Sequence, residues 1–257
     1  MAFIDGAHVE GQGTVRELTD PATGETVGEV RDCTPEQVDM AVRSATAAQA
    51  AWSALSPGDR ALGMLRLADA LEARGDDIVA AEVAESGKPV STMRDGEFPF
   101  ALDNLRYFAG ASRSLEGTGA GELSVGYTSM LLRRPIGVVG SITPWNFPFI
   151  MAVWKAAAAI AAGNGVVIKP ASRTPGSTLL LAELASEAGL PPGLINVTTG
   201  SVAVGEALVD HAAVGMVSVT GSTATGQSVM ARAVPGVKRL SLELGGKAPA
   251  VVFADAD

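Results

Sequence analysis

The second half of the chain alternates short apolar runs with amphipathic windows, and this alternation constrains the fold more than any other feature. The runs lie at 136–142, 166–169, 194–197, 216–220, 239–244 and 249–253. The windows between them, which have the length of helices, lie at 147–162, 174–188, 201–210 and 222–233. Continuous apolar strands separated by helices favour a parallel sheet covered on both faces. The sequence therefore predicts an α/β fold with a Rossmann-like parallel sheet.

The first part of the chain is predicted to be mostly helical. A capping box at 34–37 precedes the first helix, and further helices are expected from Ser56 to Gly75, onward to Gly87, and over 99–112. Two shorter segments look extended. Turn signals within 14–30 predict a small hairpin, and 125–134 reads as a β-rich segment ahead of a proline.

Composition excludes several classes of protein. A net charge of −9 over 257 residues, with no basic stripe, argues against nucleic acid as a partner. One cysteine and two histidines allow no disulfide within the chain and too few ligands for a Cys/His metal cluster, so no metal is expected. The N-terminus has no secretory pattern, and Lys155 interrupts the longest apolar stretch, so we expect a cytoplasmic protein with no membrane partner.

In parallel sheets, ligands bind beyond the carboxyl ends of the strands, so the residues after each run are the candidates for a site. After 136–142, two prolines bracket Trp145 and Asn146. A carboxamide held rigidly at the start of a helix could donate to a developing oxyanion. By local pattern alone, an N-cap asparagine beside a packing tryptophan is the favoured interpretation.

Two other strand ends suit a nucleotide. Lys169 ends one run and could contact a ribose or phosphate, while Thr174 and Pro175 fit an N-cap and a first helical residue. The glycines of 221–226 would let the backbone and a new helix approach a phosphate. This turn alone is a weak signal, and the G-x-G-x-x-G fingerprint follows no strand of the chain.

Glu243 lies within the apolar run 239–244. A carboxylate placed there costs desolvation energy unless it has a partner or a task. Burial would raise its pKa toward neutrality and suit it to general-base chemistry. Lys247, beyond two glycines, offers the rival explanation of a simple ion pair.

Four motifs together resemble the aldehyde dehydrogenase superfamily over essentially the whole chain: PWNFP at 144–148, KPASRTP at 169–175, VTGSTATG at 219–226 and LELGGK at 242–247. The stretches LDNLRYFAGASRSLEG, YTSMLLRRPIGVV and ELGGKAPAVVFADAD look closest to the aminobutyraldehyde dehydrogenase branch. The resemblance implies oxidation of an aldehyde to a carboxylic acid with NAD or NADP. In that chemistry a cysteine thiolate attacks the aldehyde, and a glutamate activates the water that hydrolyses the resulting thioester.

The resemblance also implies roles for individual residues. Asn146 would be the oxyanion donor and Glu243 the general base. Cofactor contacts would come from Thr143, Trp145, Lys169, Ala171, Ser172, Gly221 and Ser222. The substrate tunnel would include Phe147, Trp154 and Glu97, with Glu97 as a negative partner for an amine-bearing aldehyde.

At one cofactor position the sequence departs from the family pattern. Many members carry Glu where this chain has Ser172, and that Glu grips both ribose hydroxyls and repels a 2′-phosphate. With serine there, and with Lys169 and Arg173 nearby, we expect NADP to be tolerated.

The second departure concerns the nucleophile, because the family's cysteine lies well downstream of LELGGK. Cys33 precedes the cap of the first helix, where it is expected to pack against Val38, although a helix N-terminus can lower the pKa of a thiol. We expect a cofactor-binding portion that is inactive alone and lacks the catalytic domain. Its parts would be a helical region (1–116), a β-arm for homo-oligomerisation (117–134) and a dinucleotide-binding region (135–257). The alternatives are an inactive dinucleotide-binding or interaction protein, and a portion that does not fold stably.

Overall fold

The computed structural model describes residues 1–115, 117, 119–246 and 248–256. Its strands are β1 (Ala2–Ile4), β2 (Ala7–Val9), β3 (Val15–Thr19), β4 (Thr26–Arg31), β5 (Gly121–Ser124), β6 (Tyr127–Ser129), β7 (Val138–Ile142), β8 (Gly165–Lys169), β9 (Ile195–Val197), β10 (Val214–Gly221) and β11 (Arg239–Leu244). Its α-helices are α1 (Pro35–Ala54), α2 (Pro57–Ala73), α3 (Gly75–Ser86), α4 (Phe98–Ala111), α5 (Pro148–Ala161), α6 (Gly176–Glu187), α7 (Val202–Asp210) and α8 (Thr223–Ala233). A π-helical turn over Thr92–Glu97 leads into α4, and short 3₁₀ turns cover Ser112–Ser114 and Val234–Gly236.

The main sheet has seven strands in the order β11-β10-β7-β8-β9-β1-β2. The strands from β11 to β9 pair in parallel, whereas β1 and β2 join the far edge in antiparallel pairing. The parallel sheet predicted from the apolar runs is thereby confirmed. The antiparallel β1–β2 hairpin was not predicted, because strands of three residues are too short to show a period.

Helices cover both faces of this sheet. Successive residues of a strand point to opposite faces, and β8 shows this clearly. Val166 and Ile168 belong to the cluster that also contains the buried faces of α2, α4, α5 and α6. Val167 belongs to the cluster built with α1, α7 and α8. The two hydrophobic cores therefore lie on either side of one sheet.

The predicted start of the first helix is confirmed in detail. The Thr34 side chain accepts from the Gln37 amide, and the Gln37 side chain accepts from the Thr34 amide. The third helix ends at Gly87, whose positive φ of 68° suits glycine. The expected hairpin within 14–30 is formed by β3 and β4.

Two segments expected to be extended differ in the structure. The run 249–253 forms no strand: Val251, Val252 and Phe253 are exposed, and no described segment pairs with the outer edge of β11. The segment predicted to be extended over 125–134 is instead interrupted by a turn at Gly126, whose φ is 83°. This turn forms a hairpin that begins at Gly121 and ends at Ser129. The residues from 130 to 136 adopt no regular structure.

The start of α6 is also one residue later than expected. Its N-cap is Pro175, and Thr174 makes no side-chain cap. The first amide of the helix, that of Gly176, donates instead to the carboxylate of Glu85 on α3 at 2.9 Å. A distant carboxylate thus replaces the local hydroxyl as the capping group.

In the part of the chain that the structure describes, the helices lack the combination of length and apolarity needed to cross a bilayer.

Candidate functional site

Two cavities meet at the carboxyl ends of the central strands. The first, of about 850 Å³, is bounded by the loops after β7 and β8, by α7 and by the N-terminus of α8. The second, of about 720 Å³, lies along α5 and the edge formed by β10 and β11. Four residues line both cavities: Pro144, Asn146, Thr220 and Glu243. The two proposed catalytic residues therefore stand where the cavities meet.

All seven predicted cofactor residues line the first cavity: Thr143, Trp145, Lys169, Ala171, Ser172, Gly221 and Ser222. They come from three separate strand ends. The parallel register brings these ends to one edge, since Ile142 is paired with Lys169 and also with Val219, near the end of β10. The sequence therefore identified a set of residues that the fold assembles in one place.

Lys169 is the central cation of the first cavity. Its side chain is buried, and desolvation lowers its pKa to about 8, partly opposed by the charge of Asp32. Its ammonium forms no hydrogen bond to any residue in the described part of the chain. The donors of this ammonium are therefore available to an anionic or hydroxyl-bearing ligand in the cavity.

Other polar groups of the first cavity fit a dinucleotide. The Thr143 hydroxyl is buried and, among the described residues, finds no partner. At the start of α8, the Ser222 hydroxyl accepts from the Thr225 amide at 3.1 Å. The amides of Thr223 and Ala224 remain without partners inside the helix, at the positive end of its dipole. These groups would hold a ribose and a pyrophosphate.

Asn146 does not cap α5. The N-cap is Phe147, and the helix begins at Pro148. Trp145 is 67% exposed, so it does not pack in the way that the simpler interpretation of this loop required. Asn146 is therefore exposed at the junction of the two cavities, where its carboxamide is free to donate to a ligand.

Glu243 is exposed, so the desolvation cost of a carboxylate within an apolar run does not arise here. Its strand, β11, forms the edge of the sheet, and among the described residues no strand pairs with its outer side to exclude water. Thr220 of β10 is its partner across the ladder. The rival explanation, an ion pair with Lys247, involves a residue outside those that the structure describes.

The predicted tunnel residues separate into two groups. Phe147 and Trp154 line the second cavity, as expected. Glu97 does not line it: the side chain is buried beside Lys88, whose ammonium it binds. Because that cation already neutralises Glu97, this carboxylate is not positioned to receive an amine-bearing substrate.

Sequence reasoning missed one charged residue of the second cavity. The Lys155 ammonium donates to the Ser218 hydroxyl at 2.9 Å, and burial lowers its pKa to about 8, an effect that the charge of Glu243 opposes. The available signal was the single charge inside the apolar helix α5. Such a charge is expensive unless it has a partner or a task.

Cys33 lies outside both cavities. It is buried in the same cluster as Val38, as expected from its place before α1. Desolvation raises the pKa of its thiol, so the lowering that a helix N-terminus can produce does not prevail. Among the described residues, this cysteine is not placed to attack a ligand in either cavity.

The geometry of a parallel sheet with an open site at its strand ends agrees with the comparisons. Residues 8–257 match the aldehyde dehydrogenase family, and the chain belongs to that family. It is 42% identical over 258 residues to a betaine aldehyde dehydrogenase of Cereibacter sphaeroides, covering 99% of this chain and 53% of the relative.

Two solved structures show the same fold. An NAD⁺ complex of an aldehyde dehydrogenase from Bacillus cereus superposes with a TM-score of 0.93 at 36% identity, covering 100% of this chain and 53% of that one. An NADP-dependent enzyme of E. coli gives a TM-score of 0.93 at 38% identity, with the same coverage. The chain thus spans about half the length of the relatives that it matches.

Proposed function

We propose that this chain is the dinucleotide-binding part of an NAD(P)-dependent aldehyde dehydrogenase. The observation that carries the proposal is the meeting of two cavities at Asn146 and Glu243, with Lys169 buried in the wall of the first. The first cavity would hold NAD or NADP, and the second would admit the aldehyde. The bound dinucleotide would supply a hydride acceptor.

Asn146 would act on the aldehyde oxygen. Its carboxamide carries two N–H donors, and a donor fixed where negative charge develops stabilises the transition state more than the ground state. Removal of one such donor typically costs about 10²–10³ in kcat. The exposure of Asn146 at the junction of the cavities supports this role.

Glu243 would take a proton from the water that hydrolyses the thioester. Its exposure at the sheet edge leaves it open to water, and like Asn146 it lines both cavities. The positive charge of Lys155 lies close enough to Glu243 to interact with it electrostatically. The thiol nucleophile itself is not provided by Cys33.

We further propose an amino-aldehyde as substrate, in line with the resemblance to aminobutyraldehyde dehydrogenases. The betaine aldehyde dehydrogenase relative is named for a cationic aldehyde, and the chain carries a net charge of −9. The attraction of a cationic aldehyde would have to come from the acidic surface as a whole, because Glu97 is ion-paired with Lys88.

The cytoplasmic location and a homo-oligomeric state remain part of this proposal. The β5–β6 hairpin and the residues after it expose large apolar side chains: Leu123, Val125, Tyr127, Met130, Leu131 and Leu132. Exposed apolar side chains concentrated in one short segment are typical of a protein interface. Sedimentation of the whole protein with and without the β-arm (117–134) would test its part in assembly.

A titration of the chain with NADH, followed by nucleotide fluorescence, tests the proposed function. We expect saturable binding that Lys169→Met weakens about tenfold, the cost of one charge-assisted hydrogen bond. Lys238→Met, which removes a lysine outside both cavities, is the matched control and should bind as the natural chain does. Absence of saturable binding would support an interaction protein instead.

A further inference from the structure

The loop that carries Asn146 contacts a buried cluster of charged side chains. The Lys88 ammonium donates to the main-chain carbonyl of Asn146 at 3.2 Å and to Glu82 at 2.9 Å, and it also binds Glu97. It lies 5.4 Å from the centre of the Phe147 ring. One cation thus contacts two consecutive residues of the proposed catalytic loop.

Glu82 extends this contact to the helix that follows the loop. Its second carboxylate oxygen accepts from the Phe149 amide in the first turn of α5 at 2.9 Å and from the Ser177 hydroxyl of α6 at 2.6 Å. One turn later on α3, Glu85 accepts from the Gly176 amide, at the start of α6. Carboxylates of α3 therefore cap both helices that follow the proposed ligand-binding loops.

The burial of this group is difficult to explain by stability alone. The Glu82 side chain is fully buried, and those of Lys88 and Glu97 are 10% exposed. The three residues carry one positive and two negative charges away from water, and a buried charge group of this kind rarely stabilises a fold more than apolar residues would. A positional task for the group accounts for it better.

We propose that Lys88, fixed between Glu82 and Glu97, is a positioning residue that holds the Asn146 peptide so that its carboxamide stays at the junction of the two cavities. The proposal deepens the proposed function and rests on it for its catalytic meaning. Lys88 itself lines neither cavity, so it acts only through the loop.

Selective ¹⁵N labelling of asparagine gives a direct test. The chain has four asparagines, Asn104, Asn146, Asn164 and Asn196, so the side-chain amide spectrum is simple, and Asn146→Gln identifies the signals of interest. In Lys88→Met we expect the Asn146 signals to shift or broaden while those of the buried Asn164 and Asn196 stay in place. Arg94→Met, on the π-helical turn that follows Lys88 and exposed, is the control and should leave all four unchanged.

A double variant separates positioning from simple charge balance. Lys88→Met with Glu97→Gln keeps the net charge of the group at −1, which reduces the folding cost, but leaves the Asn146 carbonyl without its donor. If Lys88 positions the loop, the Asn146 signals remain displaced while thermal stability recovers. A return of these signals to their natural positions would overturn the proposal.

The asparagine NMR signals test the role of Lys88 whether or not the proposed function is correct. NADH binding to the natural chain tests the proposed function alone, because that measurement involves no change at Lys88. If the natural chain binds no dinucleotide, the proposed function fails, yet the asparagine signals still decide the role of Lys88. If binding is normal and the Asn146 signals of both Lys88 variants are unchanged, only the positioning role fails.

Discussion

Asn146 and Glu243 lie almost 100 residues apart on different elements, yet both line the two cavities at the strand ends. Asn146 arrives on the loop between β7 and α5, and Glu243 arrives on the edge strand β11. β10 lies between β7 and β11, and its Thr220, the partner of Glu243 across the ladder, lines the same junction. The strand order therefore creates the candidate reaction centre.

We predict that the charge state of Lys169 makes dinucleotide binding dependent on pH. Its pKa of about 8 means that the ammonium is charged at pH 7 and largely neutral at pH 9. We expect the Kd for NADH to rise by roughly tenfold over that interval, as one charge-assisted hydrogen bond is lost. Titrations at four pH values would measure it.

Two variants control this pH experiment. Lys169→Met should bind NADH weakly with little pH dependence in this range. Lys155→Met removes a lysine with a similar pKa from the second cavity and should preserve the pH dependence of the natural chain. An unchanged pH profile in Lys169→Met would assign the titration to another group.

Ser172 should set the tolerance for NADP. It lines the first cavity near Lys169, and exposed Arg173 follows it. Ser172→Glu would place a carboxylate where a 2′-phosphate is expected, so we predict that NADPH binding falls at least tenfold while NADH binding changes little. Ser172→Gln, of similar size without the charge, is the control. Equal losses for both nucleotides would show that Ser172 does not face the 2′ position.

We predict that Glu85 makes the free energy of unfolding decrease as the pH rises. Desolvation raises its pKa from 4.5 to about 7, with a further contribution from Glu82, against the opposing hydrogen bond from Gly176. The folded state therefore holds a proton that the unfolded chain releases, so the stabilisation present below pH 4.5 is lost as the pH rises through 7. The interval corresponds to a change on the order of 1–3 kcal/mol in the free energy of unfolding.

Glu85→Gln should flatten this dependence. Glutamine can still accept from the Gly176 amide but carries no charge, so the variant should melt at a higher temperature than the natural chain at pH 8 and at a similar temperature at pH 5. Glu25→Gln, on the exposed β3–β4 turn, should not have this effect. Thermal melts at both pH values provide the measurement, and parallel curves for Glu85→Gln and the natural chain would contradict the assignment.

The chain alone should not oxidise aldehydes. Its one cysteine is buried, its thiol pKa is raised, and it lines neither cavity. We expect no steady formation of NADH when the 257-residue chain is mixed with NAD⁺ and an aldehyde and followed at the absorbance of the reduced nucleotide. Sustained turnover that survives Cys33→Ala would reveal a different nucleophile.

The elements predicted best from the sequence were those in which every residue is buried. All five residues of β8 are buried, so an apolar run was sufficient to find it. The run 249–253 is equally apolar, yet it forms no strand, because pairing with a neighbour is a property of the tertiary structure. The same limit explains Glu243: its sequence neighbours are apolar, but an edge strand leaves it exposed.

The candidate residues on which the strand-end rule and the family resemblance agreed line the two cavities. Residues on other elements that contact the strand-end loops were not predicted, because their partners are far away in sequence. Lys88 is 58 residues from Asn146, and Glu85 is 91 residues from Gly176. Local pattern could not link them, and for the same reason it assigned the cap of α6 to Thr174.

The most direct test of the central claim is a crystal structure of the chain grown with NAD⁺. We predict that the adenosine ribose lies within hydrogen-bond distance of Lys169 or Ser172, and that the pyrophosphate lies at the N-terminus of α8 beside Ser222. A dinucleotide bound elsewhere, with the first cavity left empty, would contradict the account.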